Sequence, residues 1–118
     1  METRHAVAAL GALAHEYRLA IYRLLVERGP AGLSAGAIGD AVGLAPSSLT
    51  FHLQNLHRAA LIVQRRESRS LIYSVDFDAM NDLVGYLTEN CCAGSSGSCA
   101  TARKPVAATK AIKRRKVA

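Results

Sequence analysis

The chain has 118 residues and a formal net charge of +6, a length that fits one small domain. No apolar run approaches the roughly 20 residues that span a bilayer, so we expect a cytoplasmic protein with neither a membrane helix nor a signal peptide. The charge is uneven: residues 100–118 carry seven basic residues and no acid, whereas residues 1–99 carry 8 basic and 9 acidic residues. Net charge alone is therefore no argument for nucleic-acid binding by the body of the protein.

The first part of the chain predicts two consecutive helices. Between Arg4 and Glu27 the apolar spacing is mostly helical, with a break near Ala14-His15. The recurring apolar residues are Val7, Leu10, Leu13, Leu19, Ile21, Leu24 and Leu25. Gly29-Pro30 is expected to end the second helix, because proline cannot continue the hydrogen-bond ladder.

A short helix and a longer one follow, joined by a tight turn. Ser34 is placed to cap the short helix and Gly43 to end it. Pro46 suits the first turn of the longer helix, which we predict over residues 46–59. Its buried stripe recurs at four-, three- and four-residue steps and consists of Leu49, Leu53, Leu56 and Ala60. The pair has the outline of a helix-turn-helix.

The rest of the body predicts a β-hairpin and a last helix. Residues 62–66 and 71–75 each contain β-branched and apolar residues typical of strands, and the polar Glu67-Ser68-Arg69-Ser70 between them predicts a charged tip. Asp76 or Asp78 can cap a helix whose apolar face consists of Phe77, Met80, Leu83, Val84 and Leu87. The predicted fold class is mainly α with a small β-hairpin, a dimeric winged helix-turn-helix.

The segment from the longer helix into the hairpin carries a family signature. Its residues are Ser48-Leu-Thr50-Phe-His52-Leu53-Gln-Asn-Leu56, then Ala60-Leu61-Ile62, Arg65-Arg66 and Tyr73. This pattern resembles the helix and wing of the ArsR/SmtB family of metal-sensing bacterial repressors. The resemblance covers about residues 5–90 as element order and is dense over residues 46–75. It implies a homodimer whose interface is formed by the first and last helices, about Arg4–Leu13 and Asp78–Glu89.

Three positions depart from the family pattern. Members usually carry glycine where Ala60 and Ser68 stand, and often arginine where Phe51 stands. Ala60 is therefore expected to strain a left-handed helix cap. Phe51 removes a phosphate contact that an arginine would make at that position.

The outward face of the longer helix and the hairpin hold the candidate DNA-binding residues. Hydroxyl and amide side chains suit phosphates and base edges, and a helix N-terminus favours phosphate. The candidates are Ser47, Ser48, Thr50, His52, Gln54 and Arg58 on the helix, and Arg65 and Arg69, with Arg66 between them, on the hairpin. A polar solvated surface is the alternative interpretation. One helix offers few base-reading groups, so two copies related by a two-fold axis are expected to read half-sites of double-stranded operator DNA.

All three cysteines lie in one short segment, at Cys91, Cys92 and Cys99. In a reducing cytosol they are expected to be thiols, metal ligands or redox sensors rather than structural disulfides. Thiolates are soft ligands, and three of them complete the pyramidal coordination of As(III), whereas structural zinc ordinarily takes four ligands. As(III) is therefore the predicted effector, and Sb(III) fits for the same reason. Neighbours on a helix project about 100° apart, so the helix must end or bend before both thiols can face one ion.

The resemblance also bears on the ligand. Residues 33–40 correspond to the family's cysteine-containing motif but hold no cysteine, and the last helix, residues 76–90, lacks the histidines of the family's zinc site. What remains resembles arsenic-responsive members with an adjacent C-terminal cysteine pair and one further cysteine. The alternatives are a zinc or cadmium sensor, a thiol-redox sensor, incidental cysteines, and a metal-sequestering protein that binds no DNA. An enzyme is not expected, because no Cys-x-x-Cys and no histidine beside a cysteine is present.

The predicted function is a homodimeric transcriptional repressor that leaves its operator when As(III) or Sb(III) binds Cys91, Cys92 and Cys99. The predicted organisation has three parts. Residues 1–90 form the winged-helix DNA-binding and dimerisation domain, and residues 91–99 form the ligand segment. Residues 100–118 form a basic disordered tail that serves solubility or contacts phosphates.

Overall fold

The computed structural model describes residues 1–94, which form five helices and three strands. In chain order these are α1 (Thr3–Leu13), α2 (Glu16–Arg28), β1 (Leu33–Ser34), α3 (Ala35–Val42), α4 (Pro46–Arg58), β2 (Ile62–Glu67), β3 (Ser70–Val75) and α5 (Phe77–Leu87). Single 3-10 turns cover Gly29–Ala31 and Cys91–Gly94. The chain divides into two compact units, Met1–Val84 and a second that begins at Gly85.

The break between the first two helices lies where the sequence predicts it. His15 precedes α2, and its Nδ1 accepts a hydrogen bond from the backbone N–H of Tyr17 at 3.1 Å, which caps the helix. α1 packs through small side chains, since Ala6, Ala9 and Ala12 are its buried residues. Two of the larger apolar residues that define its sequence period, Val7 and Leu10, face outward, with Val7 at 63% exposure. Alanine lets the helix approach α2 and α4 closely, which explains why the small residues face inward.

The helix-turn-helix formed by α3 and α4 follows from local signals at each helix end. Ser34 Oγ accepts the Ala37 N–H at 3.2 Å, so the predicted cap of α3 is confirmed. Gly43 ends α3 in the left-handed conformation, with φ of 74°, which glycine adopts without steric cost. Pro46 is the first residue of α4, where its missing N–H leaves no hydrogen bond unmade.

α4 ends at Arg58 in a two-bond cap. The Leu61 N–H donates to the Leu56 carbonyl at 3.1 Å and the Ala60 N–H donates to the His57 carbonyl at 2.9 Å. Ala60 itself has a φ of 63°. This is the pattern of a Schellman cap, whose left-handed position usually holds glycine. The strained left-handed alanine expected from the sequence is therefore present.

The wing is larger than the predicted hairpin. β2 and β3 pair antiparallel from Ile62 opposite Val75 to Glu67 opposite Ser70, as the sequence predicts. A third strand, β1, pairs with the other edge of β3, with Leu33 opposite Tyr73, so the strand order is β1-β3-β2. β1 was missed because two residues are too few to show a strand period. The turn of the hairpin places Ser68 at a φ of 56°.

The core of the first unit joins the helices to the base of the wing. Its largest fully buried side chains are Ile21, Leu25, Ile38, Leu56, Leu61 and Ile62. Each stabilises the fold by about 1.5–3 kcal/mol relative to an exposed position. Because Leu61 and Ile62 directly follow the cap of α4, burying them fixes where the wing begins relative to that helix.

α5 begins as predicted and ends early. Asp76 Oδ1 accepts the Ala79 N–H at 3.1 Å, which caps the helix. The helix ends at Leu87, before the expected end near Asn90, and the Cys91 N–H donates to the Thr88 carbonyl at 3.0 Å in the turn that follows. Within residues 1–94, no helix has both the length and the apolar character needed to cross a membrane.

Candidate nucleic-acid interface

α4 has a sharply divided surface. Leu49, Leu53 and Leu56 are buried on the side that faces the core. On the opposite side Ser47, Ser48, Gln54 and Arg58 are exposed, as the sequence predicts. Because α-helical residues advance by about 100°, Ser47, Gln54 and Arg58 fall in one narrow sector opposite Leu49 and Leu56. A helix of this shape presents a polar stripe suited to the major groove.

Thr50 is exposed, but its hydroxyl is partly committed. Its Oγ1 donates to the Pro46 carbonyl at 2.9 Å, within the same helix. The Thr50 side chain can therefore still accept a hydrogen bond and offer its methyl group to a partner, whereas its hydroxyl proton is bonded to the backbone. The expected donor role of Thr50 toward a phosphate requires that this bond be broken.

His52 lies in a different environment from the one expected. The sequence makes it a candidate DNA contact, yet its side chain is only 8% exposed, and its Nδ1 makes no hydrogen bond among the described residues. Its ring lies 4.6 Å from the ring of His15, between centroids. Burial, and secondarily the nearby His15 and Arg18, lower the pKa of His52 below its ordinary value. The expectation of a DNA-facing His52 is corrected: this neutral ring packs α4 against the start of α2.

Arg65 makes hydrogen bonds within the protein that the sequence does not predict. Its Nε donates to Glu67 Oε2 at 2.7 Å within β2. Its Nη1 and Nη2 donate to the carbonyls of Pro30 and Ala31 at 3.3 and 2.8 Å. The guanidinium therefore ties the wing to the turn that follows α2. It was predicted as a DNA contact, and much of its donor capacity is already used inside the protein.

Arg69 lies at the tip of the wing between Ser68 and Ser70. The side chains of Arg66 and Arg69 are both exposed. Beside α4 they offer positive charge that can approach a phosphate backbone or a minor groove. The wing thus retains two of the three arginines as accessible cations, and Arg65 is hydrogen-bonded to the turn that follows α2.

The predicted ligand segment is described only in part. Cys91 is half-buried and Cys92 is exposed in the 3-10 turn, and Cys92 has a φ of 55°. Cys99 lies outside the described residues. Within residues 1–94 no group of three metal-ligating side chains occurs. Both described cysteines lie beyond the end of α5, in the 3-10 turn Cys91–Gly94.

One exposed residue on α4 was not identified as a functional candidate from the sequence. Phe51 lies one turn after Ser47 and three residues before Gln54, on the outward side of the helix. That spacing was the available signal. The sequence indicated at Phe51 only the loss of a phosphate contact, because members of the family often carry arginine at that position.

Known proteins resemble the chain over most of this body. A family described as a helix-turn-helix domain matches residues 13–65. The nodulation protein NolR of Rhizobium meliloti is 33% identical over 84 residues, which are 71% of this chain and 66% of NolR. The HTH-type transcriptional regulator YgaV of Escherichia coli is 32% identical over 87 residues, 74% of this chain and 86% of YgaV.

A solved structure extends the comparison to the fold. A homodimeric winged helix-turn-helix DNA-binding domain from Mycobacterium bovis, a possible ArsR-family transcriptional regulator, matches with a TM-score of 0.59 and 27% identity. The match covers 74% of this chain and 81% of that one. The chain therefore belongs to the ArsR/SmtB family of helix-turn-helix transcriptional regulators, which bind DNA.

Proposed function

We propose that the protein is a homodimeric repressor that binds operator DNA and is released when As(III), or Sb(III), is captured by Cys91, Cys92 and Cys99. The main support for operator binding is the polar, exposed stripe of α4 opposite its buried leucines. The two accessible wing arginines, Arg66 and Arg69, add a second point of contact. The stripe contacts base edges and phosphates, and the wing fixes orientation through the DNA backbone.

A homodimer is supported by the two helices that flank the body. On α1, Val7 and Leu10 are exposed, and on α5, Val84 and Leu87 are exposed. Exposed apolar residues on two helices of a small domain are suited to burial against a second copy. The Mycobacterium bovis domain of the same fold is itself homodimeric. Two recognition helices related by a two-fold axis would read two half-sites.

Thiol chemistry supports As(III) as the ligand. Three soft thiolates suit an ion that takes three ligands, and every cysteine of the chain lies within Cys91–Cys99. Cys91 and Cys92 follow the end of α5 at Leu87 and lie in a 3-10 turn, so capture of one ion by both thiols would require that short turn to rearrange. The described thiol of Cys92 is exposed, as a ligand arriving from solution requires.

Release from DNA requires the ligand to prefer the DNA-free arrangement. Capture of As(III) would reorganise the segment after α5 and alter the relative placement of the two recognition helices. Such coupling typically amounts to about 1–3 kcal/mol, a 5- to 150-fold loss of operator affinity. An exposed Cys92 also suits a thiol-redox sensor on the same fold, in which oxidation replaces ligand capture.

The test is fluorescence anisotropy with DNA from the protein's own promoter, under reducing conditions, with separate titrations of arsenite and zinc. We expect arsenite to release the protein at about one ion per subunit, and Cys99→Ser to bind the DNA normally but resist release. Ser98→Ala is the matched control, since it changes the neighbouring residue without removing a thiol. Tight specific binding that is indifferent to arsenite would refute the As(III) assignment. Release by zinc would favour a zinc or cadmium sensor, and release by diamide once the reductant is removed would favour a thiol-redox sensor.

A further inference from the structure

The outward stripe of α4 contains one apolar member. Taking Ser47 as the reference and about 100° per residue, Phe51, Gln54 and Arg58 all project within roughly 40° of it. Leu49 and Leu56 project on the opposite side and are buried. Phe51 therefore lies at one edge of the sector that would face DNA, with a serine one turn before it and a glutamine and an arginine one and two turns after it.

Phe51 is exposed and held in place. Its side chain is 59% exposed, which is high for an aromatic residue. Its ring meets the buried ring of His52 edge to face, with centroids 5.5 Å apart and an interplanar angle of 63°. The carbonyl of Phe51 accepts the side-chain Nδ2 of Asn55 at 2.9 Å. A ring anchored on one edge loses less conformational entropy when its other edge is buried by a partner.

The chemistry of the major groove leaves one partner for such a ring. A phenyl group neither donates nor accepts an ordinary hydrogen bond and carries no charge, so it recognises neither purine edges nor phosphates. The apolar group displayed in the major groove is the 5-methyl of thymine, and apolar side chains, phenylalanine among them, contact it. His52 is buried and the Thr50 hydroxyl proton is bonded within the helix, so few polar side chains of α4 remain to contact bases. An apolar contact therefore contributes a larger share of the preference for one base over another.

We propose that Phe51 is a specificity-determining residue that packs against the 5-methyl group of a thymine in each operator half-site. The proposal rests on operator binding through α4, as proposed above. It is independent of the ligand that releases the protein. Phe51 thus replaces a phosphate contact with an apolar contact to a base. Its contribution to operator affinity should therefore depend on the DNA sequence and not on the salt concentration.

The test uses the promoter segment that the protein protects from nuclease cleavage. Each thymine of that segment is replaced in turn by deoxyuracil, at symmetric positions of both half-sites, which removes only the methyl group. We expect one symmetric position where wild-type affinity falls by about 4-fold per half-site, or about 0.8 kcal/mol, the value of one buried methyl group. Phe51→Ala should bind the thymine and deoxyuracil duplexes with equal affinity.

Two control variants separate this role from a general weakening of binding. Gln54→Ala, on the same stripe, should lower affinity yet keep the preference for thymine. Arg58→Ala should reduce the dependence of log K on log salt by about 0.9 per phosphate contact, whereas Phe51→Ala should leave that slope unchanged. Far-UV circular dichroism of Phe51→Ala should match the wild type, since the side chain is exposed.

Three results would overturn the inference. The first is a thymine preference that persists in Phe51→Ala. The second is wild-type binding that is specific but insensitive to deoxyuracil at every position. The third is a reduced salt slope in Phe51→Ala, which would indicate an indirect effect on phosphate contacts. Absence of any specific promoter binding by the wild type would instead refute operator binding itself, and this proposal with it.

Discussion

Replacing Ala60 by glycine should stabilise the protein. Ala60 occupies the left-handed position of the Schellman cap of α4, at a φ of 63°. The cap is complete, because the N–H groups of Leu61 and Ala60 reach the carbonyls of Leu56 and His57. Leu56 and Leu61 are also 0% and 1% exposed, so their burial enforces the conformation. The alanine therefore bears a steric cost that the surrounding packing imposes.

The size of the effect follows from two opposing terms. The left-handed conformation costs an L-residue roughly 1–2 kcal/mol, which Ala60→Gly removes. Glycine gives the unfolded chain more conformational freedom, which costs about 0.4–1 kcal/mol. The net gain is about 0.5–1 kcal/mol in the free energy of unfolding. For a domain of this size it corresponds to a rise in Tm of roughly 3–6 °C.

Urea unfolding at a fixed protein concentration measures the change, with Ala59→Gly as the matched control. Ala59 precedes Ala60 and has a φ of −82° and a ψ of 4°, which alanine adopts without strain. Ala59→Gly should therefore destabilise, by about 0.5–1 kcal/mol. Equal losses from both substitutions would refute the strain argument, since they would show that Ala60 bears no conformational cost beyond that of its neighbour.

Two further predictions concern the wing and the buried histidine. Gly32→Ala should destabilise the protein by about 3 kcal/mol in urea unfolding, because Gly32 has a φ of 69° and a Cβ there would collide with the Tyr73 carbonyl oxygen. Gly36→Ala is the control, since a Cβ at Gly36 meets no neighbouring atom and should not destabilise the protein in this way. Equal effects of the two substitutions would contradict this prediction. Because folding lowers the pKa of His52, the unfolded chain binds its proton first, so wild-type stability should fall as pH drops below about 6.5. His52→Leu should lose that part of the pH dependence between pH 7.5 and 5.5, whereas His57→Gln should retain it.

The ends of the helices could be predicted from the sequence because their signals are local. Ser34 caps α3, Gly43 ends it and Pro46 begins α4, each through the backbone of residues at most four positions away. The hairpin was predictable for the same reason, since its two strands are adjacent in the chain. The exposed polar face of α4 followed from helical spacing alone. These features need no knowledge of the tertiary packing.

The parts that could not be predicted depend on contacts between distant residues. His52 lies at the border of the buried stripe of α4, and His15, at the start of α2, covers it. Arg65 reaches carbonyls 34 and 35 residues earlier in the chain. Spacing within one element does not indicate which neighbour will cover its border. For the ligand segment, α5 ends before Cys91 and Cys92, and the capture of As(III) by Cys91, Cys92 and Cys99 stays a prediction.

On the proposed function, charge balance decides how As(III) can act on DNA binding. A protonated thiol carries no charge. Arsenous acid is also neutral, and when three thiols replace its three hydroxyl groups, three waters leave and the complex stays neutral. Capture therefore adds no charge that could repel DNA, so release must come from a change in geometry. Zn²⁺ bound by three thiolates would instead release three protons and leave one negative charge. Capture of arsenite by the three thiols should then release no protons, whereas capture of zinc should release three, which a titration in weakly buffered solution measures.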